Sequence, residues 1–243
     1  MKAHTFYKLW GASLVLLAAV MVLGTCSSCA VAPTQAAPPP VFNPHAAAVS
    51  LQFTDGSCSG TIYLDHTILT ANHCVVDGPL VAINAMPAKS LWTLKDKTDH
   101  VFVVTDQTFQ LQVYPTVRFT DGLLQGTNFH FYGNPIGIHD QYRQGYVTGT
   151  CPADYCFPGL PEQLSLPKDY PVTLVSVMGQ HGDSGAGIYN EADVLVGVVS
   201  LIQEEMPAPF IPMGALPFSF TQGDLALVGL MNDGAADAMA PAR

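Results

Sequence analysis

Positive charge is scarce in this chain. Nine lysines and arginines face nineteen acids, and the net charge is −10. Proteins that bind nucleic acid present a basic footprint to phosphate. None is present, so nucleic acid is excluded as a partner and the acidity serves solubility. Acids are missing from the start of the chain: the first is Asp55. Helical periodicity is nearly missing too. Apolar residues recur at helical spacing only over the brief stretch Asp224–Met231, which argues against helical layers. The apolar run Leu9–Leu23 is shorter than the about 20 residues that cross a bilayer.

What stands at the N-terminus has its own pattern. Lys2 and Lys8 precede Leu9–Leu23, and small residues and cysteines follow at Gly24–Ala30. This order predicts an export signal over residues 1–30. An uncleaved membrane anchor and a lipid anchor at Cys26 are the alternatives, because Leu23-Gly24-Thr25-Cys26 resembles a bacterial lipobox. Residues 31–48 are rich in Pro and Ala and read as an extended linker. The small, polar stretch Asn232–Arg243 reads as a frayed tail.

Six cysteines are present. Cys26 and Cys29 fall in the leader; Cys58, Cys74, Cys151 and Cys156 fall in the domain. Four domain cysteines in an exported chain predict two disulfides. The Cys26-x-x-Cys29 spacing suits zinc, but it lies in a segment expected to be removed or anchored. No metal and no cofactor is expected.

Between linker and tail the chain is rich in short β-prone runs. Val49–Phe53, Gly60–Tyr63, Thr67–Thr70, Leu80–Ile83, His100–Val104 and Phe109–Tyr114 form one series. Val117–Phe119, Asn128–Tyr132, Gln144–Thr150, Val172–Ser176, Gly187–Tyr189, Val194–Leu201 and Ala215–Phe220 form a second. Turn residues separate them, so an all-β sandwich or barrel is predicted. The near-equal split at Pro115 suggests two barrels, 49–115 and 116–231, the second ending in a short helix.

Two short segments carry chemistry. His73 ends the apolar run Ile68-Leu69-Thr70-Ala71-Asn72-His73-Cys74. Cys58 lies sixteen positions before Cys74, on a preceding strand, and two antiparallel strands would bring the pair within bridging reach. Such a bridge would hold the loop that bears His73. Further on, Gly182-Asp183-Ser184-Gly185 sets a serine between glycines that allow unusual backbone angles. The amides of Gly182 and Ser184 could converge on a developing oxyanion. A serine hydroxyl becomes nucleophilic when an imidazole takes its proton. No histidine follows Ser184, which excludes the α/β-hydrolase order of esterases.

These segments together resemble the trypsin-like, chymotrypsin-fold serine proteases, in the lean bacterial style of the HtrA-like and glutamyl-endopeptidase-like enzymes. Cys58-Ser59-Gly60-Thr61 with Leu69–Cys74 is similar to the histidine motif, and Gly182–Gly185 to the serine motif. Tyr132–Gly137 with Tyr146–Gly149, Leu195–Ser200 and Gly214–Pro217 resemble second-barrel strands of that branch. The resemblance covers roughly Val49 to Leu230. It implies two six-stranded antiparallel β-barrels with the active site between them, and an exported, monomeric endopeptidase acting on proteins or peptides.

The resemblance also implies a triad of His73, Asp99 and Ser184. Asp99 precedes the apolar strand His100–Val104, with Asp96 and Asp106 as alternative acids, and His100 stands where the family usually has an apolar or small residue. By the same likeness Met178 and His181, with Ser200, Leu201 and Ile202, line the primary pocket. No acid lies in those stretches, which disfavours Arg or Lys before the cleaved bond. Val199 stands where glutamate-specific members place a histidine. A small or apolar side chain is therefore expected, though His181 leaves an acidic one open.

Three departures stand out. No Ile-Val-Gly-Gly-like start follows the linker, so Asp183 needs a partner other than a freed N-terminus. Cys151 and Cys156 match no disulfide of the family, and their pairing is predicted by elimination. No PDZ-like segment follows. An inactive member of the fold serving as a binding module is the competing reading.

Overall fold

The computed structural model describes residues 39–76, 78–118, 123–158, 166–202 and 212–239. The export signal, Cys26, Cys29 and residues 31–38 of the linker lie outside them. Residues from Pro40 onward make one unit. That unit takes in the end of the expected linker. Asn43 caps a short helix, Pro44–Ala47, by accepting the His45 N–H, and Ala47 is fully buried.

The first series of strands follows from simple alternation. In β1 (Ala48–Phe53), Val49, Leu51 and Phe53 are buried while Gln52 faces water, the period-two signature of a half-covered strand. β3 (Thr67–Ala71) and β7 (His100–Thr105) are buried at every position, as continuous β-branched and apolar runs predict. With β2 (Ser57–Leu64), β4 (Leu80–Ile83), β5 (Met86–Pro87) and β6 (Ser90–Lys95) they form one sheet in the order β5-β4-β1-β2-β3-β7-β6. This sheet curls instead of closing as the expected six-stranded barrel. At one edge stands the two-residue β5, whose Pro87 has no N–H to offer a further strand.

The second series closes. β8 (Asn128–Gly133), β9 (Gln141–Pro152), β10 (Pro171–Met178), β11 (Gly187–Asn190), β12 (Leu195–Ile202) and β13 (Pro212–Ala215) form a barrel in the order β10-β13-β12-β11-β8-β9. Phe129, Phe131, Ile188, Val199 and Met213 fill it. The chain thus has the chymotrypsin-like architecture that its motifs suggest.

Some local expectations change. β6 is absent from the sequence reading because its residues are nearly all exposed, leaving no inward apolar face to detect. Phe109–Tyr114 is a loop, anchored by buried Phe109 and by the Tyr114 hydroxyl on Asp65. The run Ala215–Phe220 keeps its strand only to Ala215. Pro217 breaks the ladder, and Phe218, Ser219 and Phe220 turn toward the first sheet. The C-terminal helix runs Gln222–Met239, through most of the stretch read as a tail. Buried Val228 and Ala235 pin it, and Asn232 Oδ1 accepts from His66 N–H and the Thr67 hydroxyl. Among the described residues no helix is long and apolar enough to cross a membrane.

Candidate active site

His73 sits on the short helix Asn72–Val76 that ends β3. Its ring is partly open to solvent, with 39 % of the side chain exposed. Asp99 lies in the turn between β6 and β7 and is 1 % exposed. One oxygen of its carboxylate accepts the His73 N–H at 2.9 Å, and the other lies 2.7 Å from His73 Nδ1. A buried acceptor there puts the proton on Nδ1 and leaves Nε2 as the basic nitrogen. The alternative acids are engaged elsewhere: Asp96 bonds His100, and Asp106 accepts from Lys89 N–H.

Ser184 comes from the second barrel, in the turn between β10 and β11, and is half-buried. Gly182 at φ 96° and Gly185 at φ 87° give that turn its shape, angles that suit glycine and strain other residues. Ser59 anchors it to the first sheet. Its N–H donates to the Ser184 carbonyl at 2.7 Å, and its hydroxyl donates to the Gly182 carbonyl at 2.7 Å. Asn134 N–H donates in turn to Ser59 Oγ. With both carbonyls turned to Ser59, the amides of Gly182 and Ser184 make no hydrogen bond among the described residues.

Cys58 and Cys74 are bridged. One neighbours Ser59, which holds the serine turn; the other neighbours His73. The bridge therefore ties the two halves of the site together. Cys58, Cys74 and His73 also cluster closely enough to suggest a metal, but the bridged sulfurs have no thiolate to offer. Reducing this bridge, or replacing Cys58 with serine, should cost about 3 kcal/mol of stability by the loop-entropy relation. Activity of the still-folded fraction should fall as well. Thermal unfolding beside turnover, with and without reductant, checks both. The Cys151–Cys156 bridge forms as well, at the end of β9.

Asp183 has a partner that the sequence reading missed. Arg143, on β9, places one guanidinium nitrogen 3.0 Å from Asp183 Oδ2 and 2.8 Å from the Met178 carbonyl. Its other terminal nitrogen donates to Gln180 Oε1 at 3.0 Å, and Gln180 N–H donates to Asp183 Oδ2. Burial pushes the Asp183 carboxyl up, against the pull of Arg143 and the Gln180 amide. The available signal was composition: Arg118 and Arg143 are the only arginines between the leader and the final residue.

The residues expected to line the primary pocket are less uniform. Met178 is 42 % exposed and His181 is exposed, whereas Ser200 is buried with its hydroxyl on the Val198 carbonyl. Leu201 and Ile202 pair in β12 with Gly214 and Met213 of β13; their side chains lie outside the described residues.

Residues 38–115 match the Trypsin family. Among curated proteins, none matches the sequence. Solved structures do. A mutant, inactive form of Rv3671c from M. tuberculosis H37Rv is 15% identical at a TM-score of 0.56, covering 85% of this chain and 100% of its own. A Glu endopeptidase in complex with MPD is 18% identical at 0.54, with 79% and 95% covered. The HtrA-type protease AlgW with a tripeptide is 19% identical at 0.55, with 78% and 61% covered. At these identities the likeness establishes the fold.

Proposed function

We propose that this trypsin-like chain of chymotrypsin fold is an exported serine endopeptidase. The observation that carries the reading is the His73–Asp99 pair, a half-open imidazole held by a buried carboxylate at 2.7 Å. Beside it, the serine turn is bonded to the sheet that bears the histidine.

In this mechanism Ser184 Oγ attacks the scissile carbonyl as His73 Nε2 takes its proton. Asp99 keeps the imidazole in the right tautomer and stabilises its cation. The carbonyl oxygen gains negative charge and meets the amides of Gly182 and Ser184. Collapse expels the amine, which leaves with the proton from His73. Water then repeats the cycle on the acyl-enzyme. Contacts of nucleophile with base in such sites tighten when substrate binds. The two disulfides fit an oxidising compartment. Met178 and Ser200, proposed to border the primary pocket with no acid beside them among the described residues, suit a small or apolar side chain.

A fluorophosphonate probe tests the reading. Wild-type protein should label, Ser184→Ala should not, and His73→Ala should label at least ~10³-fold more slowly. No labelling of folded wild type would leave an inactive fold serving as a binding module.

A further inference from the structure

A second aspartate–histidine pair lies beside the first, and the mechanism above does not use it. Asp96 opens the turn that carries Asp99. Asp96 and His100 side chains are both fully buried, with His100 Nδ1 2.8 Å from Asp96 Oδ2. A charged carboxylate is stable in such a place only when its lone pairs are filled, and here they are. It accepts the N–H groups of Thr98 at 2.8 Å, His100 at 3.1 Å and Ser219 at 2.9 Å. The Thr98 hydroxyl adds another bond at 2.8 Å. Burial alone would push this carboxyl up; His100, Ser219 and Thr98 together hold it at about 2. It is an acceptor throughout, so His100 Nδ1 bears the proton.

The positions of these donors matter. Thr98 and His100 are the residues on either side of Asp99, and both amides end on one carboxylate. Asp96 N–H closes the turn on the His100 carbonyl at 3.0 Å, and the Asp99 carbonyl accepts from Asn72 N–H at 2.7 Å. The backbone of Asp99 is thereby pinned before, behind and across. The remaining contacts come from the segment that follows the closed barrel. Ser219 Oγ accepts the Lys97 N–H at 2.9 Å. The His100 ring packs on Phe218 at 4.6 Å between centroids, with Phe220 at 6.5 Å. Residues 217–220 follow β13 of the closed barrel. An apolar side chain could fill the space of the His100 ring. Packing therefore does not require an imidazole there; the bond from Nδ1 to Asp96 does.

We infer that Asp96 and His100 are positioning residues for the Asp99–His73 pair, clasping the Asp99 turn of the first sheet to the Pro217–Phe220 strap of the second barrel. The inference rests on the peptidase reading for its effect on rate, not for its effect on geometry. Orientation errors near 1 Å at a catalytic group cost about 10²-fold. The clasp therefore acts on turnover more than on substrate binding.

The experiment uses the full chain carrying Asp96→Asn or His100→Leu. It reads kcat and KM on a chromogenic peptide ester, and the downfield proton resonance of His73 Nδ1–H against Asp99. Asp96→Asn keeps the shape but turns an N–H₂ toward donors. Its kcat should fall about 10- to 100-fold with KM changed by less than about two-fold, and the resonance should shift or broaden. His100→Leu should move both readouts the same way, by less. If Asp96→Asn does not fold, His100→Leu, which keeps the packing on Phe218, decides. Wild-type kcat and an unmoved resonance in the folded variants overturn the inference. So does a kcat loss that merely follows the unfolded fraction by circular dichroism. Failure of wild type to cleave esters would sink the peptidase reading alone, because the resonance is read without turnover.

Discussion

Arg143→Ala is expected to lower kcat/KM by about 10²-fold or more and the melting temperature by on the order of 10 °C. The reason is the place of Asp183. It is fully buried, between Gly182 and Ser184, the two residues proposed to supply the oxyanion amides. Arg143 is its cationic partner and also grips the Met178 carbonyl and the Gln180 side chain. Taking away one partner of a buried ion pair leaves an uncompensated charge, at a cost of about 3–5 kcal/mol. Asp183 would then swing out or bind a proton, and either carries Gly182 and Ser184 with it. Asp183 Oδ1 has no hydrogen bond among the described residues, so beyond Arg143 the carboxylate keeps the Gln180 N–H on Oδ2.

The pH dependence of that variant has a definite sign. The Asp183 carboxyl is already raised from 3.8 by burial, and loss of the guanidinium raises it further. A folded-state value above the unfolded one favours the fold below the unfolded value. That advantage is lost as pH rises through the folded value. Arg143→Ala should therefore be least destabilised in acid. Adding Asp183→Asn should restore stability but not full turnover, because the neutral amide needs no counter-charge yet lacks the ionic grip. Arg143→Lys keeps the charge and loses the fork, so it should fall between. Melting curves from acid to neutral pH with parallel kinetics would read all of this; a fully active, fully stable Arg143→Ala would refute it.

Gly185→Ala should be as damaging for a different reason. Gly185 has φ +87°, and an added Cβ would stand 2.1 Å from both the Ser59 carbonyl oxygen and Thr70 Oγ1. Thr70 Oγ1 already donates to that carbonyl at 2.7 Å, so neither atom is free to yield. The left-handed backbone costs an ordinary residue about 1–2 kcal/mol, and the forced contact about 1–3 more. Relief requires the serine turn to lift from Ser59, breaking the bonds at the Ser184 and Gly182 carbonyls. The expected result is a melting temperature lower by on the order of 10 °C and no fluorophosphonate labelling. Gly149→Ala is the control: its Cβ would meet nothing within 4 Å, and it should behave as wild type.

Much of the site was legible because its signals are local. His73 beside Cys74, Cys58 sixteen residues earlier, and a serine between two glycines are all short-range patterns. Asp99 was one of three acids near β7, and only its contact with His73 separates it from Asp96 and Asp106. The oddity of His100 was legible; its purpose was not. Its partner carboxylate is four residues away, but the strap against its ring is Phe218 and Phe220. Arg143 was invisible as a partner of Asp183 because β9 must first pair with β8, setting Arg143 opposite Phe131.

The sequence by itself determined the strands with alternating or continuous apolar faces, the turn glycines, the paired cysteines and the residue types for acyl transfer. These follow from short-range sterics and burial, which adjacent residues decide. Only the tertiary structure decided which acid meets His73, what neutralises Asp183 and what anchors the Asp99 turn. Those contacts join residues 26, 40 and 123 positions apart. Hydrogen bonds and ion pairs act over a few ångströms, so strand register and barrel closure must come first, and neither is written in any one stretch of chain.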